Sequence, residues 1–81
     1  MLTDIFWSYN MTLLNATEGK TYTVKSISTG DSELEAFLFS LGCYSGEPIT
    51  VVRIRKNGVV VTIKDGRYNV DLALAGAIEV E

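Results

Sequence analysis

The sequence predicts a mainly β domain with one helix: a small, partly open barrel of about five strands, the helix inserted between the first two. Three observations carry the prediction. Short runs rich in β-branched and aromatic residues recur along the chain, and the later ones are separated by the turn dipeptides Asn57-Gly58 and Asp65-Gly66. A single segment, Asp31–Leu41, spaces its apolar residues by three and four rather than two. At 81 residues and 47% hydrophobic, the chain holds one domain with a core near the minimum for folding alone.

Residues 1–10 form an N-terminal extension in which Leu2, Ile5, Phe6 and Tyr9 fall on one face of a short helix, with Trp7 off that stripe. Such a helix is marginal in water unless it packs on something. Two roles stay open for it, docking on its own domain or serving as an arm for a partner or second copy. The barrel domain occupies residues 11–81.

Glu18-Gly19 reads as a turn into a first strand, Thr21–Ile27. Its apolar positions Tyr22, Val24 and Ile27 slip by one residue after Val24, which predicts a bulge or the strand's end there. Asp31–Leu41 follows as a helix. Leu34, Phe37, Leu38 and Leu41 make its buried stripe, and Ser32 with Glu35 fits a capping box. Asp31, Glu33 and Glu35 suit the positive end of the helix dipole, and Gly42 supplies the left-handed stop. Phe39 projects off the stripe. Leu38 and Leu41 are expected against Val24, Val51 and Val70.

Strands Ile49–Lys56 and Val59–Lys64 flank Asn57-Gly58, whose expected type I′ turn needs positive φ at both central residues. Asp65-Gly66 makes a second such turn before Arg67–Leu72, where Tyr68, Val70 and Leu72 alternate. Ala73–Ala77 allows one helical turn, and Ala77–Val80 a last strand with Ile78 and Val80 inward.

Composition excludes several function classes. Histidine is absent, removing the commonest general base and metal ligand, and the lone Cys43 cannot form an internal disulfide. A net charge of −3 argues against general affinity for nucleic acid. No apolar run approaches a membrane span, so direct membrane insertion is not expected, and the first ten residues lack the basic region of a secretory signal. A cytoplasmic location is the expectation.

The spacing also resembles a known family. Leu13, Ala16 and Gly19 lead into the first strand; the helix runs into Leu38-Phe39-Ser40-Leu41-Gly42; Gly46, Ile49 and Val51 follow; and Asn69-Val70-Asp71-Leu72, Ala75 and Ile78 close the pattern. This is similar to the FeoA family, the ferrous iron transport protein A domain, an SH3-like barrel. Leu41-Gly42-Cys43-Tyr44-Ser45-Gly46 is the most specific block, similar to the family's leucine–glycine–apolar–any–proline–glycine segment. The chain departs from it with Phe37 where the family frequently has arginine, and with Ser45 and Glu18 where proline is usual. The resemblance implies a cytoplasmic accessory protein at the inner face of the cell membrane. It would contact a ferrous iron permease through that permease's GTP-binding domain or cytoplasmic tail. It also allows, as the alternative, a regulatory barrel associated with a metal-dependent transcription regulator. Transition metal ion binding comes into view only through this association.

The residues themselves give no catalytic constellation, since a serine without histidine has no ordinary base, and nothing resembles a phosphate-binding loop or a dinucleotide fingerprint. No enzyme activity and no cofactor are expected. Cys43 reads as a small buried hydrophobe rather than a ligand, and no metal site is assigned. Residues 53–67 hold five cations (Arg53, Arg55, Lys56, Lys64, Arg67) against the single anion Asp65, a local balance of +4. The remaining chain has two cations against nine anions, a balance of −7. Arg53 and Arg55 share a strand face, with Lys64 expected near them across the hairpin. This patch is either a solvated barrel exterior or a surface for an acidic protein loop or anionic headgroups. Phe39 and Tyr44, not required by the core stripe, are the aromatic candidates for a partner surface, though Tyr44 would also serve to close the barrel end. The candidate partner-binding residues are therefore Phe39, Tyr44, Arg53, Arg55 and Lys64, with self-association left open.

Overall fold

The computed structural model describes residues 11–81, so the helix and the arm expected within residues 1–10 lie outside the described residues. Five strands form one antiparallel sheet in the order β4-β3-β2-β1-β5. They are β1 (Thr21–Ile27), β2 (Pro48–Arg55), β3 (Gly58–Ile63), β4 (Gly66–Asp71) and β5 (Ile78–Val80). Helix α1 (Ser32–Leu41) lies between β1 and β2 in the chain, and the short α2 (Leu72–Ala77) between β4 and β5. A 3-10 turn at Leu13–Asn15 precedes them all. Thr12 caps that turn by accepting from the Leu14 N–H at 3.2 Å, while the Asn15 side chain accepts from the Thr12 N–H at 3.1 Å. Met11 then accepts from the Val80 N–H at 2.9 Å, extending the pairing beside β5.

β1 joins the two halves of the sheet. Its first residues pair with β2 (Thr21 with Thr50, Tyr22 with Ile49), and its last pair with β5 (Ile27 with Ile78). The register with β5 shifts between Val24 and Ser26, at the slip in the sequence pattern. Leu13, Val24, Leu38, Ile49, Val51, Val59, Val61 and Ile78 form the centre of the core, each at 3% exposure or less. Every such side chain contributes about 1.5–3 kcal/mol relative to standing in water.

A second register shift, in β2 between Val51 and Arg53, decides which residues face out. Val51 opposes Val61, and beyond the shift Arg53 opposes Val60, Ile54 opposes Val59 and Arg55 opposes Gly58. Strict alternation would put Arg53 and Arg55 on the same face as the buried Val51. The extra residue, Val52, turns them outward beside Thr50 and brings Ile54 to the face of Val59.

The helix departs from expectation at both faces. Its N-cap is Asp31, whose carboxylate accepts from the Glu33 and Leu34 N–H groups at 3.0 and 3.1 Å. The Ser32–Glu35 capping box is not formed, because Glu35 instead accepts from the N–H and hydroxyl of Thr29, at 3.1 and 3.0 Å. A carboxylate binds two backbone donors better than a serine hydroxyl would, so the cap moves one residue earlier. On the inner stripe Leu38 is buried, Leu34 and Leu41 are half-buried, and Phe37 is 56% exposed. Phe37 lies at the edge of the stripe and stays outside the core that takes up Leu38.

Both β-hairpins turn one residue earlier than the dipeptides predict. Arg55 pairs with Gly58 around Lys56-Asn57, and Ile63 pairs with Gly66 around Lys64-Asp65. Neither Asn57 nor Gly58 takes positive φ, so the expected type I′ turn is absent there. Gly58 is required for another reason: a Cβ on it would lie 2.5 Å from the Val70 carbonyl oxygen. In the second hairpin Lys64 adopts φ 55°. Leu72, expected inward at the end of a strand, instead opens α2 and is 43% exposed. Asp71 ends β4 by capping that helix, accepting from the Leu74 N–H at 2.8 Å.

Candidate functional site

The end of α1 builds a rigid platform. Gly42 takes φ 98°, its N–H donates to the Phe39 carbonyl at 3.0 Å, and the Cys43 N–H donates to the Leu38 carbonyl at 2.9 Å. This double closure is the Schellman arrangement, with Leu38 and Cys43 as its buried hydrophobic pair. The following loop is pinned to β1, since the Gly46 N–H donates to the Val24 carbonyl and the Val24 N–H to the Glu47 carbonyl, both at 2.8 Å.

Phe39, on the last turn of the helix, and Tyr44, in the pinned loop, meet on this platform. Their ring centroids stand 4.6 Å apart at an interplanar angle of 32°. Phe39 is 63% exposed, the most exposed large hydrophobic residue among the described residues, and Tyr44 is half-buried beneath it. Lys64 also reaches the ring: its Nζ lies 5.9 Å from the Tyr44 ring centroid and pairs with the Glu47 carboxylate. The hydrogen bond and charge of Glu47 raise the Lys64 ammonium above its usual range, keeping it cationic over the ring. Its stem crosses Gly42 so closely that a Cβ there would lie 2.7 Å from Lys64 Cγ. Gly42 therefore serves twice, in the left-handed cap and under the lysine.

The five expected site residues thus divide into two groups. Phe39, Tyr44 and Lys64 come together at the helix end, while Arg53 and Arg55 stand on the outer face of β2. Lys64 is not the neighbour of the two arginines. The shifted hairpin places it past Ile63, and Val60 and Gly58 are the cross-strand partners of Arg53 and Arg55. The sequence reading missed Glu47, which fixes Lys64; an isolated glutamate before a proline carries no pattern by which to find it.

Among the described residues the donor set does not fit a metal ion. Among the described residues no three His, Cys, Asp or Glu side chains converge on one point. Burial pushes the Cys43 thiol up to about 11, which opposes the thiolate form a metal requires.

Fold and site together define a small SH3-like barrel whose helix end carries an exposed phenylalanine stacked on a half-buried tyrosine beside a lysine. The FeoA domain model matches residues 11–81, and the chain belongs to the FeoA family. None of the curated proteins matches the sequence. Among solved structures, the barrel is similar to an iron uptake regulatory protein, FeoA (20% identity, TM-score 0.74, covering 90% of this chain and 96% of that one). It is also similar to Stenotrophomonas maltophilia FeoA complexed with zinc, described as a procaryotic SH3 domain protein (20% identity, TM-score 0.76, covering 88% and 89%). A manganese-dependent transcriptional repressor carries the same fold at 24% identity and TM-score 0.77; the match covers 88% of this chain but 36% of that one.

Proposed function

We propose that this chain is a non-enzymatic accessory of ferrous iron uptake, working at the inner face of the cell membrane by protein–protein contact with the ferrous iron permease. Membership of the FeoA family supports the transport role. One observation carries the contact: the exposed Phe39 ring stacks on the half-buried Tyr44 at a helix end closed at both carbonyls. Aromatic side chains bring large contact area with few torsions to freeze, and a pre-formed platform lowers the ordering cost of binding. The docking site on the permease is its cytoplasmic GTP-binding domain or tail. A second reading, a regulatory domain acting with a metal-dependent transcription regulator, draws on the fold shared with the manganese-dependent repressor.

The double change Phe39→Ser, Tyr44→Ser separates platform from core. Circular dichroism and the melting temperature are expected to stay close to wild type while support of iron uptake in cells and binding to the permease's cytoplasmic domain are lost. Full uptake by the folded double variant would sink the proposal. Loss of metal-dependent repression with uptake intact would favour the second reading.

A further inference from the structure

We propose that the outer face of β2–β3–β4 is a receptor for a short acidic polypeptide segment of a partner, gripped by Arg53, Arg55 and Arg67. This rests on reading the chain as a protein-binding module, and it uses a surface other than the Phe39–Tyr44 pair.

The register places the three arginines on one face of the sheet, Arg53 and Arg55 on β2 and Arg67 two strands away on β4. Arg53 opposes Val60, which opposes Asn69; Arg55 opposes Gly58, which opposes Asp71; Arg67 opposes Thr62, which opposes Thr50. All three arginines are exposed, and among the described residues none has an ion-pair partner. Val60 sits on this outer face yet is only 8% exposed, an apolar floor between Arg53 and Asn69. Next to it, a concavity of about 530 Å³ is lined by Arg55, Lys56, Gly58, Asn69 and Asp71. The anions nearby are already committed to the backbone. Asp71 accepts from the Leu74 N–H at 2.8 Å, and Glu18 accepts from the Ile54 N–H at 2.7 Å. Asp65 stands in the turn beyond β3.

Charge selects the occupant. The stretch 53–67 carries +4 while the rest of the chain carries −7. With a net charge of −3 the chain as a whole disfavours an extended polyanion, whereas a short segment meets only the arginine face. Guanidinium forks match carboxylates bidentately, and an arginine face therefore favours Glu or Asp side chains over diffuse negative charge. From the Gly58 row to the Thr62 row is about 13 Å along the strands. An extended segment of about five residues covers that distance and projects alternate side chains every ~6.8 Å, the spacing of Arg53 and Arg55. The recognised pattern is thus acidic residues at alternate positions.

The probe is a five-residue peptide of alternating glutamate and serine, titrated into isotope-labelled full chain at about 50 mM salt, where screening is still weak. Saturable amide shifts are expected at Arg53–Arg55, Gly58–Val60 and Arg67–Asn69. Affinity should fall at least about tenfold in the triple variant Arg53→Gln, Arg55→Gln, Arg67→Gln and fall less in the triple lysine variant, which keeps charge without the fork. The Phe39→Ser, Tyr44→Ser protein should bind like wild type, so that failure here is separable from failure of the platform. Shifts elsewhere, equal affinity in the glutamine variant, or tighter binding to phosphatidylserine vesicles than to the peptide would each overturn the proposal. So would a concentration-dependent dimer in sedimentation that the glutamine variant abolishes, which would assign the face to a second copy of this chain.

Discussion

Cys43 follows the helix cap Gly42 with 1% of its surface exposed, and burial alone pushes its thiol from an ordinary 9.0 up to about 11. The fold therefore favours the neutral thiol. Between these two values the unfolded chain releases the proton and the folded chain keeps it, so this group's contribution to stability is complete below about pH 9 and lost as pH rises towards 11. Cys43→Ala should flatten that part of the pH dependence in urea titrations. Alkylation of native protein at pH 8 should run on the order of a hundredfold slower than in denaturant, since thiolate is the reacting form. Equal rates in the two conditions would place the thiol at the surface. The small apolar role of Cys43 was legible in the sequence from its position after a helix stop. The Glu47–Lys64 pair beside it was not, because the two meet only through a turn one residue away from where the dipeptide predicts it.

Elements were read from the sequence more securely than their faces. α1 was legible because cap, stripe and glycine stop all point to one helix, and the slip after Val24 in β1 is visible in the spacing itself. The β2 shift was not visible: Val51, Val52, Arg53 and Ile54 offer no local reason to insert the extra residue at Val52. What requires it is tertiary, the cost of turning Arg53 inward opposite Val59, on the face of the buried Val51. Deleting Val52 should leave a regular ladder, with Val51 and Ile54 inward and Arg53 and Arg55 still outward, and melting should stay cooperative; a deletion variant that unfolds would show that the shift itself is needed. The helix stripe makes a second claim. Leu38 is 3% exposed and Leu41 half-buried, so Leu38→Ala should cost about 2–5 kcal/mol and Leu41→Ala clearly less. Matching urea midpoints for the two variants would contradict this order.

Across the whole molecule, the core and the outer surfaces divide the work. No buried polar or charged residue occurs among the described residues, so their interior is a plain apolar filling. The family's association with iron places cargo metal near this protein, and the chain's own chemistry argues against its holding the ion. Soft or borderline divalent metals are retained by thiolate and imidazole, hard ones by several converging carboxylates. The sequence has no histidine, the one thiol is buried and held protonated, and the carboxylates at the start of α1 are turned to other tasks. Asp31 caps the helix and Glu35 binds Thr29, leaving Glu33 alone there. Fe²⁺ titrated anaerobically into the purified chain should therefore give weak binding without a defined end point, unchanged by Cys43→Ser. A saturable one-to-one site of micromolar affinity that disappears in Cys43→Ser would require the thiol to leave the core, and with it the packing of Leu38 against the helix end. The same titration followed by amide shifts would reveal that movement at Leu38 and Gly42, where a surface carboxylate site would leave both signals in place.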